Sequence, residues 1–239
     1  MSCDFSNAKV RNPRALEVEV KPPSFAPMPQ YALPQQPQGV EIVLWHLLES
    51  QGEGHKWALH FPQRQTATMS AARQAEHRAM AFALSHLLGH AEWHLTHNED
   101  GKPQLHVRGE SHVQAVGISH ARMGEDVWAA VAVWNEVGTP GGIDLVLTDD
   151  ARVRRVAPRV MSAQEMSKWR GSEAWAWATK EAMFKGHGPA LKFQSQALLK
   201  DGTGIPGDEA GTLRGEVRGM PWSGAWCKVR NQLLLVWGA

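Results

Sequence analysis

The stretch Val137-Gly138-Thr139-Pro140-Gly141-Gly142 constrains this chain most, because no regular element can run through it. Proline removes a backbone donor and glycine carries the largest entropic cost of ordering, so together they break helix and strand alike. On each side of that break the hydrophobic pattern has the same order: strand, helix, then a group of strands. Before it, Val40-Glu41-Ile42-Val43-Leu44-Trp45 reads as a strand, Gly52-Glu53-Gly54 as a turn and residues 57–61 as a returning strand. Thr68 or Ser70 is placed to cap a helix that runs to about Leu88, with Met80, Ala83, Leu84, Leu87 and Leu88 as its apolar stripe and Gly89 at its end. Asn98-Glu99-Asp100-Gly101-Lys102-Pro103 is a turn signal. Residues 114–120 and 127–134 read as strands, and the apolar density of the second predicts a central strand covered on both faces.

After the break, residues 143–147 form a strand. Ser162, with Glu165 three positions on, has the pattern of a capping box. Gly171-Ser172 opens a second helix that ends near Gly186 or Gly188, and residues 211–217, 225–229 and 232–237 alternate as strands. Two halves of like order predict an α+β chain with an internal pseudo-repeat. The expected domains are a first lobe over 40–137 and a second over 138–239, preceded by a lead-in over 1–39. That lead-in holds Pro13, Pro22, Pro23, Pro27, Pro29, Pro34 and Pro37, which favour extended chain lying outside the folded lobes.

Composition narrows the function classes. The chain has 239 residues with 25 basic and 24 acidic side chains, a net charge of +1, which argues against a broad nucleic-acid surface. Its two cysteines, Cys3 and Cys227, imply neither a disulfide framework nor a CxxC metal site. No run reaches membrane-spanning length and the first residues lack an apolar h-region, so a cytoplasmic enzyme or binding protein with no membrane span is the expectation.

Chemistry concentrates in two places. In Trp177-Ala178-Thr179-Lys180-Glu181-Ala182-Met183-Phe184-Lys185, Glu181 and Lys185 are four apart and share a helix face. Asp144 sits in the strand of Gly142-Ile143-Asp144-Leu145. A carboxylate from a strand and another from a helix, with a lysine beside them, is a way to hold a divalent cation against a phosphate. The plain alternative is a solvated helix face. His86, His90, His94 and His97 raise zinc chemistry as a rival, but nothing nearby resembles HExxH and Gly89 interrupts the helix between the first two. A Ser119–His120 hydrolase dyad is disfavoured because adjacent strand residues face opposite sides.

With these residues in order, the chain resembles the 4′-phosphopantetheinyl transferases, and more narrowly the monomeric members with two lobes on one polypeptide. The likeness is carried by Arg73 and Arg78 on a helix, Gly101-Lys102-Pro103, Ile118-Ser119-His120, Gly142-Ile143-Asp144, and Trp177-Ala178-Thr179-Lys180-Glu181-Ala182 with Lys185 and Gly188; it spans residues 70–193. The resemblance implies two similar lobes about a pseudo-twofold axis, each a small sheet on a long helix, with coenzyme A in the cleft between them. It implies Mg²⁺-dependent transfer of the 4′-phosphopantetheine arm onto a serine of an apo acyl or peptidyl carrier protein. Asp144 and Glu181 become the metal ligands, and Glu181 also the acceptor of the serine proton. Lys185 faces the pyrophosphate, His120 and Lys102 lie near coenzyme A phosphates, and Arg78, with Arg73 as a second candidate, reaches the ribose phosphate. Many two-lobed members carry a third acidic ligand two positions after the aspartate, where this chain has Val146. The rival within this resemblance is a non-catalytic homologue that binds coenzyme A or a carrier. Without the resemblance, Lys102 reads as a solvated turn lysine, His120 as a partly buried histidine, and Arg73 and Arg78 as surface charge.

Overall fold

A computed structural model of the chain describes residues 39–47, 57–64, 68–134, 141–205, 207–229 and 232–239. The first half runs β1 (Val40–Leu47), a 3₁₀ turn (Trp57–His60), α1 (Ala71–Leu88), β2 (Trp93–His97), β3 (Pro103–Val107), β4 (Gln114–Met123) and β5 (Asp126–Trp134). The second runs β6 (Gly142–Leu147), α2 (Ala151–Val160), α3 (Ala163–Lys168), α4 (Glu173–His187), α5 (Phe193–Gln196), β7 (Ala197–Gly202), β8 (Ala210–Val217), β9 (Met220–Val229) and β10 (Leu233–Gly238). Each half makes one five-stranded antiparallel sheet, ordered β1-β5-β4-β3-β2 and β6-β10-β9-β8-β7. In both, the strand before the helices pairs with the last strand of the meander that follows them. The protein is therefore a two-lobed α+β fold with pseudo-symmetric sheets.

The sheets lie between α1 on one side and α2–α5 on the other. Strand alternation assigns the faces of β5: Val127, Ala129, Val131 and Val133 join the core under α1, while Trp128, Ala130, Ala132 and Trp134 join the core between the sheets. The same rule divides β6. Ile143 and Leu145 enter the inter-sheet core, whereas Val146 packs with the helices of the second lobe. Asp144 shares the face of Val146 and so points toward α4.

Local signals explain the helix boundaries. Ser70 caps α1 by accepting the Arg73 N–H, and Gly89 closes it in the left-handed conformation at φ 73°. The Ser162–Glu165 capping box forms both of its reciprocal bonds. Residues 57–61 depart from expectation: they form a 3₁₀ turn, not a strand. The i,i+4 pair Trp57 and Phe61 brings its rings within 6.3 Å of each other, and both rings pack on His77 of α1. α2 was not read from the sequence although Val153, Val156, Ala157 and Val160 stand at i, i+3, i+4 and i+7; Pro158 inside this stretch is a helix breaker by rule, yet the helix runs through it. The short strands β2, β3 and β7 escaped the periodicity. Most of the proline-rich lead-in, the turn at 52–54 and residues 135–140 of the break lie outside the described residues.

Packing requires a glycine where the first strand of the second lobe meets α4. A Cβ on Gly142 would sit 1.9 Å from the carbonyl oxygen of Ala182 and 2.9 Å from the Gly186 nitrogen, so β6 and α4 touch backbone to backbone. Gly142→Ala should destabilise the protein by about 1–3 kcal/mol or more through overpacking. Gly207→Ala, where a Cβ meets nothing within 4 Å, should stay within about 0.5 kcal/mol of the parent. Urea unfolding of the two variants checks the contrast.

Candidate active site

Three elements converge at the seam between the lobes. β4 supplies Ser119 and His120, β6 supplies Asp144, and α4 supplies Trp177, Glu181 and Lys185; all line one open cavity of about 460 Å³. The start of α2 closes its rim with Asp150 and Arg152. The structure thus brings together Asp144, Glu181, Lys185 and His120, which the sequence reading had drawn from separate segments.

Ser119 is the hub of this junction, a role that adjacency to His120 alone did not reveal. Its hydroxyl donates to Asp144 Oδ1 at 2.9 Å and accepts from the Leu145 N–H at 3.1 Å and from Lys185 Nζ at 3.0 Å. Lys185 Nζ also donates to Asp144 Oδ1 at 2.6 Å. The hydroxyl therefore uses its one donor and both acceptor positions. Asp144 is only 6% exposed, so its charge depends on this pairing. Its Oδ2 makes no hydrogen bond with a described residue.

Glu181 lies on the same helical face as Lys185 but makes no hydrogen bond or ion pair with a described residue. Burial raises its pKa to about 7, the Asp144 carboxylate pushes in the same direction, and Lys185 opposes both. A carboxylic acid poised near neutrality beside a second carboxylate is suited to exchanging protons or to sharing a cation.

A second charged group adjoins His120. Arg73 Nη1 donates to Glu76 Oε2 at 2.9 Å and to His120 Nε2 at 3.4 Å, and Glu76 Oε2 is 3.6 Å from that same nitrogen. Burial holds the His120 pKa below its usual value; Glu76 pulls it up, and Arg73, Lys185 and His77 push it down. The imidazole that results accepts the arginine bond as a neutral ring. Glu76 was missed from sequence, although its i,i+3 spacing to Arg73 is a readable signal.

Other expected residues lie elsewhere. Lys102 does not line the cavity; its Nζ donates to the Gly186 carbonyl at 2.8 Å. Arg78 is half-buried on α1, does not line the cavity, and its buried Nε has no hydrogen-bond partner among the described residues. Lys180, the first lysine of the Trp-x-x-Lys-Glu-Ala pattern, is fully buried. It pairs with Glu165 at 2.9 Å and donates to the Phe193 and Ala197 carbonyls, so it braces α4 and does not face the cavity. The histidines of the zinc reading are dispersed: His90 accepts the Glu92 N–H, His94 stacks on His106 and His97 meets Arg64. Among the described residues, no group of three or more His, Cys, Asp or Glu side chains is arranged to hold a metal ion. No helix among them is long and apolar enough to cross a membrane.

The raised Glu181 pKa has a definite consequence for stability. Below about pH 4.5 the group is protonated in the folded and unfolded chains alike and contributes nothing. Between there and about pH 7 the unfolded chain loses the proton first, so stability falls as pH rises; above that the penalty is constant. Glu181→Gln should therefore raise the melting temperature at pH 8 and leave it nearly unchanged at pH 4, as calorimetry across that range will show.

No family model matches this chain, and no curated protein matches it.

Proposed function

We propose that this protein is a 4′-phosphopantetheinyl transferase, moving the phosphopantetheine arm of coenzyme A onto a serine of an apo acyl or peptidyl carrier protein in the cytoplasm. The observation that carries the reading is the convergence of Asp144, Glu181, Lys185 and His120 on one inter-lobe cavity, from the segments that bear the family likeness. The pseudo-symmetric two-lobed fold supports it.

In this reaction the carrier serine oxygen attacks the phosphorus next to the pantetheine arm. A new Oγ–P bond forms, the P–O bond of the pyrophosphate bridge breaks, and adenosine 3′,5′-bisphosphate leaves. Glu181 takes the serine proton; a base with a pKa near the working pH is efficient in that role. Lys185, on the same helical face, holds the pyrophosphate and faces the charge that grows on the leaving side. His120 lines the cavity and is assigned to a coenzyme A phosphate, with Arg73 hydrogen-bonded to it. Arg78 is assigned to the ribose phosphate by resemblance alone; it does not line the cavity, and its Nε is buried.

The donors at the cavity are carboxylates. Asp144 Oδ2 and the Glu181 carboxylate are hard oxygen donors with no partner among the described residues, and the pKa of Glu181 shows that Asp144 and burial disfavour its negative charge there. That fits a divalent cation held by two protein carboxylates, the remaining positions going to water and substrate oxygens. When bound, Mg²⁺ supplies charge neutralisation at the pyrophosphate. Val146 stands on the Asp144 face with an apolar side chain where many relatives have a third carboxylate. This observation favours the second reading, a homologue that binds coenzyme A or a carrier without turnover.

Incubation with coenzyme A, Mg²⁺ and a panel of apo carrier proteins, read by intact mass, separates the two. The transferase reading expects one phosphopantetheine added per carrier and a loss of about 10²-fold or more in rate for Glu181→Gln. Coenzyme A binding without any mass gain across the panel establishes the second reading.

A further inference from the structure

Lys102 is held in place before its side chain reaches anything. Its N–H donates to the Asn98 side-chain oxygen at 2.8 Å, and its carbonyl accepts the Asn98 N–H at 3.0 Å. Gly101, at φ 76°, completes the turn, its N–H bonded to the Asn98 carbonyl at 2.9 Å. One asparagine thus fixes both sides of the lysine backbone. From that turn the side chain leaves its own lobe, and Nζ donates to the Gly186 carbonyl at 2.8 Å.

Gly186 lies in the last turn of α4, where helix carbonyls lack an intrahelical donor and the helix dipole is negative. An ammonium there meets both needs. Gly188, at φ 89°, keeps the approach open: a Cβ on it would stand 3.1 Å from Lys102 Cε. The turn so capped carries Lys185, whose ammonium must reach Asp144 and Ser119 in the seam. The backbone of Gly142 packs close to Gly186 in the same turn.

We propose that Lys102 is a positioning residue that clamps the end of α4 to the first lobe and so sets where Lys185 stands. This differs from the ligand role that the family resemblance assigns to the lysine. The inference concerns the protein without ligand and stands whether or not the transferase reading holds.

Amide hydrogen exchange on the full chain without ligand tests it. Lys102→Met removes the donor and should speed exchange in residues 184–188 by about tenfold or more, as expected for a lost charged hydrogen bond and easier local opening. Lys102→Arg keeps a cationic donor and should restore protection. Should Lys102→Met fail to fold, Asn98→Ala, which frees the lysine backbone, is expected to speed exchange in the same residues to a smaller degree. Unchanged exchange there in a folded variant overturns the proposal. A parallel titration with adenosine 3′,5′-bisphosphate, which rests on the transferase reading, should give affinities within about twofold for parent and Lys102→Arg. Affinity weakened in Lys102→Met with exchange unaltered overturns the clamp in favour of a direct phosphate contact.

Discussion

Everything at the seam depends on the apolar layer between the two sheets. Trp128, Ala130, Ala132 and Trp134 of β5 and Ile42 and Leu44 of β1 meet Ile143 and Leu145 of β6 and Leu233, Leu235 and Trp237 of β10. Burial of such surface is non-directional and contributes roughly 25 cal/mol for each Å² removed from water, so it holds the lobes together without specifying a fine geometry. On this face of β5 the small side chains of Ala130 and Ala132 lie between Trp128 and Trp134. Because β4 and β6 are brought side by side in this way, Ser119 reaches Asp144 and the Leu145 N–H.

Geometry at the site is then supplied by polar groups, mostly around α4. Its inner face is braced within the second lobe by the Lys180–Glu165 pair, and Glu165 also accepts the Leu199 N–H, linking α3, α4 and β7. Burial lowers the Lys180 pKa and Glu165 counters it. A buried pair of this kind is weak evidence for net stability, yet removing one partner leaves an uncompensated charge at a cost of about 3–5 kcal/mol. The division of labour along one short motif follows from helical spacing. Lys180 points into the core of its lobe, whereas Glu181 and Lys185 share the face turned to the cavity.

The half-buried state of that cavity accounts for its electrostatics. Asp144 is neutralised by Lys185, which leaves Glu181 as the carboxyl that burial and its like-charged neighbour hold near neutrality. Beside His120, Arg73 and Glu76 compensate each other while the imidazole remains neutral. The protein thus keeps a net charge of only +1 overall while placing Lys185 and Arg152 around one opening.

By itself the sequence determined the two-half order, the capping of α1 and α3, the two-faced burial of β5, and the shared face of Asp144 and Val146. Those depend on periods of two and 3.6 residues and on contacts three or four positions apart, which are written along the chain. It also held, through motif likeness, the set Asp144, Glu181, Lys185 and His120. Tertiary structure alone decided that Ser119 joins Asp144 to Lys185, that Glu76 links Arg73 to His120, and that Lys102 crosses to Gly186. Partners 66 and 84 residues apart leave no periodic trace; their pairing is fixed only when the inter-sheet core sets the two lobes in register.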